Sequence, residues 1–307
     1  MVNVALVFPG QGAQYVGMGR EFYRTSPLAK AIFDEADQIL KKNLSEIIFK
    51  GPPEKLTSTA YCQPAMLTFS LAAFRAFEAH PKFQNISTQF AAGLSLGEYT
   101  ALAVAGSLSL DAALTLVERR ALYMEEAAKE NAGKMAAVIG LEKDKISDIC
   151  RNTGVEIANY NSPQQIVITG HAKMVEAASE RIKKAGAKTV IPLEVSGAFH
   201  SSLMKSAADK FLEDLGDVTI EIPEFPVISN VDATPTTNPD HIRKNLADQI
   251  TSPVQWTATV EAILQEGVED FIEIGPGKVL SGLIRRISDK AKVHNIERPE
   301  DFEKLPF

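Results

Sequence analysis

The pentapeptide Gly93-Leu94-Ser95-Leu96-Gly97 constrains this chain more than any other feature, because of what flanks it. Before it, Gln89-Phe-Ala-Ala-Gly has the pattern of a short strand; from Leu94 to Ala105 the residues are good helix formers. A strand that passes into a helix through a tight turn belongs to an α/β architecture, with the turn at the carboxyl edge of a sheet. In that context a G-x-S-x-G sequence exposes the serine hydroxyl at the helix start, and the glycines are needed because flanking side chains would clash. The Leu96 amide would then face a carbonyl oxygen beside the serine, with help from the helix dipole for any negative charge there. The same five residues also suit a serine that only caps a helix between packing glycines. The turn by itself leaves both readings open.

The rest of the chain continues the α/β theme. Val2–Phe8 is a β-branched run stopped by Pro9-Gly10-Gln11-Gly12; it has no basic flank or small-residue cleavage site, so it reads as a buried first strand rather than a leader. Helical spacing recurs over 27–49, 63–80 and 109–131. From about 133 to 196 the order changes to strand, helix, two strands, helix, strand, the βαββαβ of a ferredoxin-like unit. Beyond it, 225–230 reads as a strand, 241–265 as helical, and 270–274 as a strand ended by Gly275-Pro-Gly, with His294 in a polar tail.

Composition removes several functions. A formal charge of −7 argues against nucleic acid as the main partner. No stretch approaches the ~20 apolar residues of a membrane span. Two cysteines, Cys62 and Cys150, cannot form a disulfide framework, which favours a reducing, cytoplasmic setting. Gly10-Gln-Gly-Ala-Gln-Tyr15 begins like a dinucleotide fingerprint but has tyrosine where the third glycine belongs, and neither a Walker A sequence nor H-E-x-x-H occurs. NAD, ATP and zinc are therefore not expected, and no cofactor is.

A serine needs a base before it is a useful nucleophile. Of five histidines, His80, His171, His241 and His294 fall in polar or surface-like settings, whereas His200 lies in Gly197-Ala-Phe-His-Ser, a small apolar loop after the βαββαβ unit. Such a loop could hold a neutral imidazole near a cleft, although a histidine of this kind is more often structural.

Taken together, Gly10-Gln-Gly, Gly-Leu-Ser-Leu-Gly-Glu at 93–98, Arg120, Gly-Ala-Phe-His-Ser at 197–201, and Gln249 before Ser252-Pro-Val-Gln-Trp resemble the malonyl-CoA:acyl carrier protein transacylases over about residues 2–290. The resemblance implies a large hydrolase-like α/β domain with a mostly parallel central sheet, 1–131 and 197–307, and a small ferredoxin-like α+β subdomain, 132–196. It implies Ser95 as nucleophile, His200 as base and then acid, and Gln249 as the residue whose backbone carbonyl orients His200. Gln11 and Leu96 would supply the oxyanion amides and Arg120 would bind the malonyl carboxylate. An arginine fork suits that task better than lysine. A carbonyl in place of a triad carboxylate stabilises the imidazolium less, so the arrangement fits activated acyl donors such as thioesters.

The expected activity is malonyl transfer from malonyl-CoA to acyl carrier protein for fatty acid synthesis, by a monomer with no nucleic-acid or membrane partner. Phe199 would crowd an α-methyl group, favouring malonyl over methylmalonyl, while Leu94 stands where the family more often has histidine. Two basic groups could meet an acidic carrier: Arg181, Lys183, Lys184 and Lys188, or Lys278, Arg285 and Arg286. The rivals are a serine thioesterase or esterase, and a carrier-binding scaffold without catalysis.

Overall fold

In the computed structural model, which describes all 307 residues, Val2–Phe8 (β1) is a central strand of the larger of two sheets. Val4, Leu6 and Phe8 join one apolar cluster, and Ala5 and Val7 join another on the opposite side. Both faces of β1 are thus covered, as a parallel strand requires. The other strands, in chain order, are Ile86–Gly93 (β2), Gly133–Ile139 (β3), Glu156–Ser162 (β4), Gln165–His171 (β5), Thr189–Pro192 (β6), Val227–Ile228 (β7), Pro235–Thr236 (β8), Asp270–Ile274 (β9) and Lys292–Ile296 (β10). The larger sheet has the order β10-β9-β1-β2-β7-β8, and all its pairings are parallel except β7 with β8.

The smaller sheet is antiparallel with the order β4-β5-β3-β6, the arrangement of a ferredoxin-like unit. Period-two alternation divides its side chains between two neighbours. Ala136 and Val138 of β3, with Ile166 and Ile168 of β5, pack on the helices Lys143–Thr153 and Ala172–Lys184. Met135, Ala137 and Val167 point the other way and line a cavity shared with the larger sheet. A parallel bridge from Asn159 to Val254 ties β4 to the rest of the chain, with Tyr160 N–H donating to the Val254 carbonyl and Val254 N–H to the Ala158 carbonyl.

Two long helices complete the setting. Thr59–Glu78 is buried on almost every side and brings Gln63 inward; Leu110–Glu130 carries Arg120 on its buried face and leaves Arg119 exposed. Arg120 is only 1% exposed.

Several sequence-based bounds change. Residues 241–265 form two helices, Pro239–Gln249 and Trp256–Gln265, because Pro253 cannot donate to a continuing helix. The 27–49 run likewise splits into Pro27–Ile39 and Leu44–Lys50 around Lys41, whose φ of 49° is left-handed. The strand expected over 225–230 is only Val227–Ile228. The segment read as a polar tail contains β10, where His294 pairs with Asp270 at 3.0 Å. The helices Lys205–Asp217 and Val279–Ile287 were not anticipated. No helix is long and apolar enough to cross a membrane.

Candidate active site

The turn from β2 into the helix Gly97–Val104 holds Ser95 in the left-handed region, φ 54°. A Cβ at Gly93 would lie 1.9 Å from the Gly97 carbonyl carbon, and one at Gly97 would lie 2.1 Å from the Phe8 carbonyl oxygen. Both obstacles are backbone, so the glycines are there because nothing else fits. Asn230, just beyond β7, secures the turn: its side-chain oxygen accepts the Ser95 N–H at 2.6 Å and its amide donates to the Gly93 carbonyl at 2.7 Å. The Gln11 and Leu96 N–H groups donate to no backbone carbonyl, and both residues border the cavity beside Ser95.

His200 reaches the same point from the loop after β6, with a φ of 57°. Its Nδ1 lies 2.9 Å from the Gln249 backbone carbonyl and its Nε2 lies 2.8 Å from Ser95 Oγ. A carbonyl only accepts, so Nδ1 carries the proton and Nε2 is left to accept from the serine hydroxyl. Burial, and then the charge of Arg120, lower the imidazole from 6.5 to about 4. The ring is therefore neutral at physiological pH and able to take the proton of Ser95.

Arg120 is the third partner. Its Nη2 donates to Ser95 Oγ at 2.9 Å and to Gln249 Oε1 at 3.0 Å, and its Nη1 donates to Gln63 Oε1 at 2.7 Å. Its Nε has no partner. The cavity around these groups measures about 480 Å³ and includes Phe199, which is 6% exposed. The structure thus brings Ser95, His200, Gln249, Arg120, Gln11, Leu96 and Phe199 to one place. Leu94 also borders the cavity, as do Lys278 and Arg286. Arg285 instead donates to the Val293 carbonyl, and Arg181, Lys183, Lys184 and Lys188 do not line the cavity.

A nucleophile elbow, a neutral base and an inward-facing guanidinium at one cavity are the parts of an acyl-transfer site. The acyl transferase domain model matches residues 5–298. The chain belongs to the acyl transferase family.

Among its relatives, the acyltransferase is 46% identical to a malonyl CoA-acyl carrier protein transacylase of Bacillus subtilis, over 99% of this chain and 96% of that one. The acyl-carrier-protein-S-malonyltransferase of Bartonella henselae superposes with a TM-score of 0.94 at 40% identity, covering 99% of this chain and 98% of that one. A type II PKS acyl-carrier protein in complex with its malonyl-transacylase offers a third likeness, with a TM-score of 0.94, 38% identity and 98% coverage of both chains.

Three residues of the acyltransferase site escaped the sequence reading: Gln63, Asn230 and Glu98. Glu98 directly follows the elbow and lay inside the quoted motif; the other two carry no local signal, since an amide in a helix or loop looks like any other.

Acid should affect catalysis and stability in the same direction at His200. If Ser95 is the group acylated, as proposed below, the steep, tenfold-per-unit loss of acylation is expected near pH 4, not near 6.5, because protonation removes the Nε2 lone pair that accepts from Ser95 Oγ. The folded-state value lies below the unfolded one, so the unfolded chain binds more protons between them. This group's contribution to stability is complete above pH 6.5 and is lost as the pH falls towards 4. Single-turnover acylation rates and urea midpoints from pH 3.5 to 8 test both statements; a steep limb centred near 6.5 would contradict them.

Proposed function

We propose that this chain transfers a malonyl group from malonyl-CoA to the phosphopantetheine thiol of an acyl carrier protein through a malonyl-Ser95 intermediate, supplying fatty acid synthesis. Ser95 Oγ attacks the thioester carbonyl as its proton passes to His200 Nε2. The Gln249 carbonyl holds the opposite N–H of the imidazolium, and the Gln11 and Leu96 amides receive the oxyanion. Collapse of the tetrahedral intermediate breaks the C–S bond, and His200 returns the proton to the departing CoA sulfur. The carrier thiol then gives its proton to His200 and attacks the acyl-serine, whose oxygen recovers that proton as it leaves. No metal or redox step is required. A thiol leaving group with a pKa near ~8.5 needs little acid assistance, which suits a base oriented by a carbonyl.

The observation that carries the reading is the Arg120 guanidinium, fully buried yet 2.9 Å from Ser95 Oγ. A buried cation next to the nucleophile calls for an anionic acyl group, and the malonyl carboxylate sits one methylene beyond the reacting carbonyl. A thioesterase for uncharged chains would have no use for it. Initial rates with both substrates varied are the test: parallel double-reciprocal lines and label moving from malonyl-CoA to the carrier support the mechanism, while intersecting lines would exclude the covalent intermediate.

Phe199 lines the cavity, and on our reading its ring would crowd an α-methyl group, so kcat/KM for malonyl-CoA should exceed that for methylmalonyl-CoA by roughly 10- to 200-fold. Comparable values would refute the role of Phe199. For the carrier, Lys278 and Arg286 at the cavity mouth favour that side as the acidic partner's docking face. Arg286→Glu should raise carrier KM several-fold with kcat little changed; an unaltered KM would eliminate this surface. We take 1–131 with 197–307 as the catalytic domain and 132–196 as its subdomain. We further take the protein to act in the cytoplasm and as a monomer, the latter supported by a site whose hydrogen-bonded groups all come from one chain.

A further inference from the structure

Glu98 takes no part in the steps above, although its carboxylate is buried, 3% exposed, directly behind the nucleophile. It lies on the first turn of the helix Gly97–Val104, where its Oε2 accepts from Gln249 Nε2 at 2.5 Å and from the Asn230 backbone N–H at 3.2 Å. The Gln249 amide therefore spans two charges. Its donor end meets Glu98 and also the Ser95 carbonyl at 3.1 Å, and its acceptor end meets Arg120 at 3.0 Å. An anion on one side and a cation on the other fix which way an amide points. The backbone carbonyl of the same residue receives the His200 Nδ1–H.

We propose that Glu98 is a positioning residue for acyl transfer, acting through the Gln249 side chain to hold the carbonyl that orients His200 and the acceptor that keeps Arg120 beside Ser95. This rests on the acyl-transfer reading of the site. Without the carboxylate the Gln249 amide loses its stronger partner and can rotate, which loosens the base and the carboxylate-binding arginine together.

The ionisable groups facing Glu98 are Arg120 from the helix Leu110–Glu130, Asp232 from the β7–β8 turn, and its neighbour Tyr99. Burial pushes the carboxyl up to about 7, against the opposing pull of Gln249, Asn230 and Arg120. Its folded-state value exceeds the unfolded one, so Glu98 adds most stability below pH 4.5 and loses that contribution as the pH rises through 7. Positioning has the opposite preference, because the anion is the form that anchors Gln249. Acylation should thus decline several-fold from pH 8 to pH 6, a shallow step well above the His200 limb.

The test is single-turnover acylation by malonyl-CoA, read by intact mass, in wild type, Glu98→Gln, Gln249→Ala and the double variant. Gln249→Ala keeps the backbone carbonyl and removes only the amide through which Glu98 acts. We expect Glu98→Gln to slow acylation about tenfold at pH 8, to abolish the pH 8-to-6 step, and to cost less than about twofold in the Gln249→Ala background. An equal cost in both backgrounds, or no cost in either, overturns the proposal. Should Glu98→Gln not fold, the side-chain amide resonance of Gln249 in wild type, assigned by its loss in Gln249→Ala, should move with a midpoint near pH 7; a resonance that does not titrate overturns it equally. Failure of the wild type to acylate at all would count against the acyl-transfer reading instead.

Discussion

Replacing Ser95 with alanine is expected to abolish the acyl-enzyme and to lower malonyl transfer by at least roughly 10⁴-fold. His200 and the oxyanion amides would remain, but they have nothing to activate. The fold should tolerate the change, because the Arg120 Nη2 that loses Ser95 Oγ keeps Gln249 Oε1, and the Ser95 N–H to Asn230 bond does not depend on the side chain. Thermal unfolding next to a transfer assay separates the two effects. Residual transfer within tenfold of wild type, in a folded variant, would mean that another group takes the acyl chain.

The second large effect belongs to Arg120. Arg120→Ala should cut kcat/KM for malonyl-CoA by about 10²- to 10³-fold, since truncating one member of a buried charge pair costs roughly 2–5 kcal/mol. Acetyl-CoA has no carboxylate, so its rate should fall far less, by only what the loosened Gln249 amide costs the base. The change of preference matters more than the loss. Arg120→Ala also strands the Oε1 atoms of Gln63 and Gln249, so a lower melting temperature is expected. Arg120→Lys provides the control, retaining charge without the planar fork, and should fall between. An equal loss with both thioesters would contradict carboxylate recognition and point to a purely structural arginine.

What the sequence made visible was local. The elbow could be read because its strand, glycines and helix lie within a few residues, and the ferredoxin-like unit because its helical and period-two stretches alternate cleanly. The meeting of Ser95 with His200, 105 residues away, was not readable from spacing, and only the combined motifs pointed to it. The direction of Arg120 is not readable from spacing either: a helix face decides it, and packing against Thr59–Glu78 turns that face inward. Asn230 and Gln63 act through amides that have no sequence pattern.

Strand β10 escaped notice because Lys292 to Asn295 are polar or half exposed along one edge of the sheet. The helix Val279–Ile287 was obscured by Gly282 and by the Gly275-Pro-Gly277 run before it. Its start is set by a side chain from the adjacent strand, since buried Glu273 on β9 accepts the N–H groups of Leu280 and Ser281 at 2.9 and 2.8 Å. By contrast, the break before Trp256 was available in Pro253 and only needed to be weighed above the helical spacing around it.

The account stands or falls on a covalent malonyl-serine. Intact-protein mass after brief mixing with malonyl-CoA, followed by a chase with holo acyl carrier protein, measures it directly. The expected result is a malonyl adduct that requires Ser95, is depleted in Arg120→Ala, and passes to the carrier on the chase. An adduct that disappears into water before the carrier is added would make the protein a thioesterase, and no adduct with any thioester would contradict the central claim.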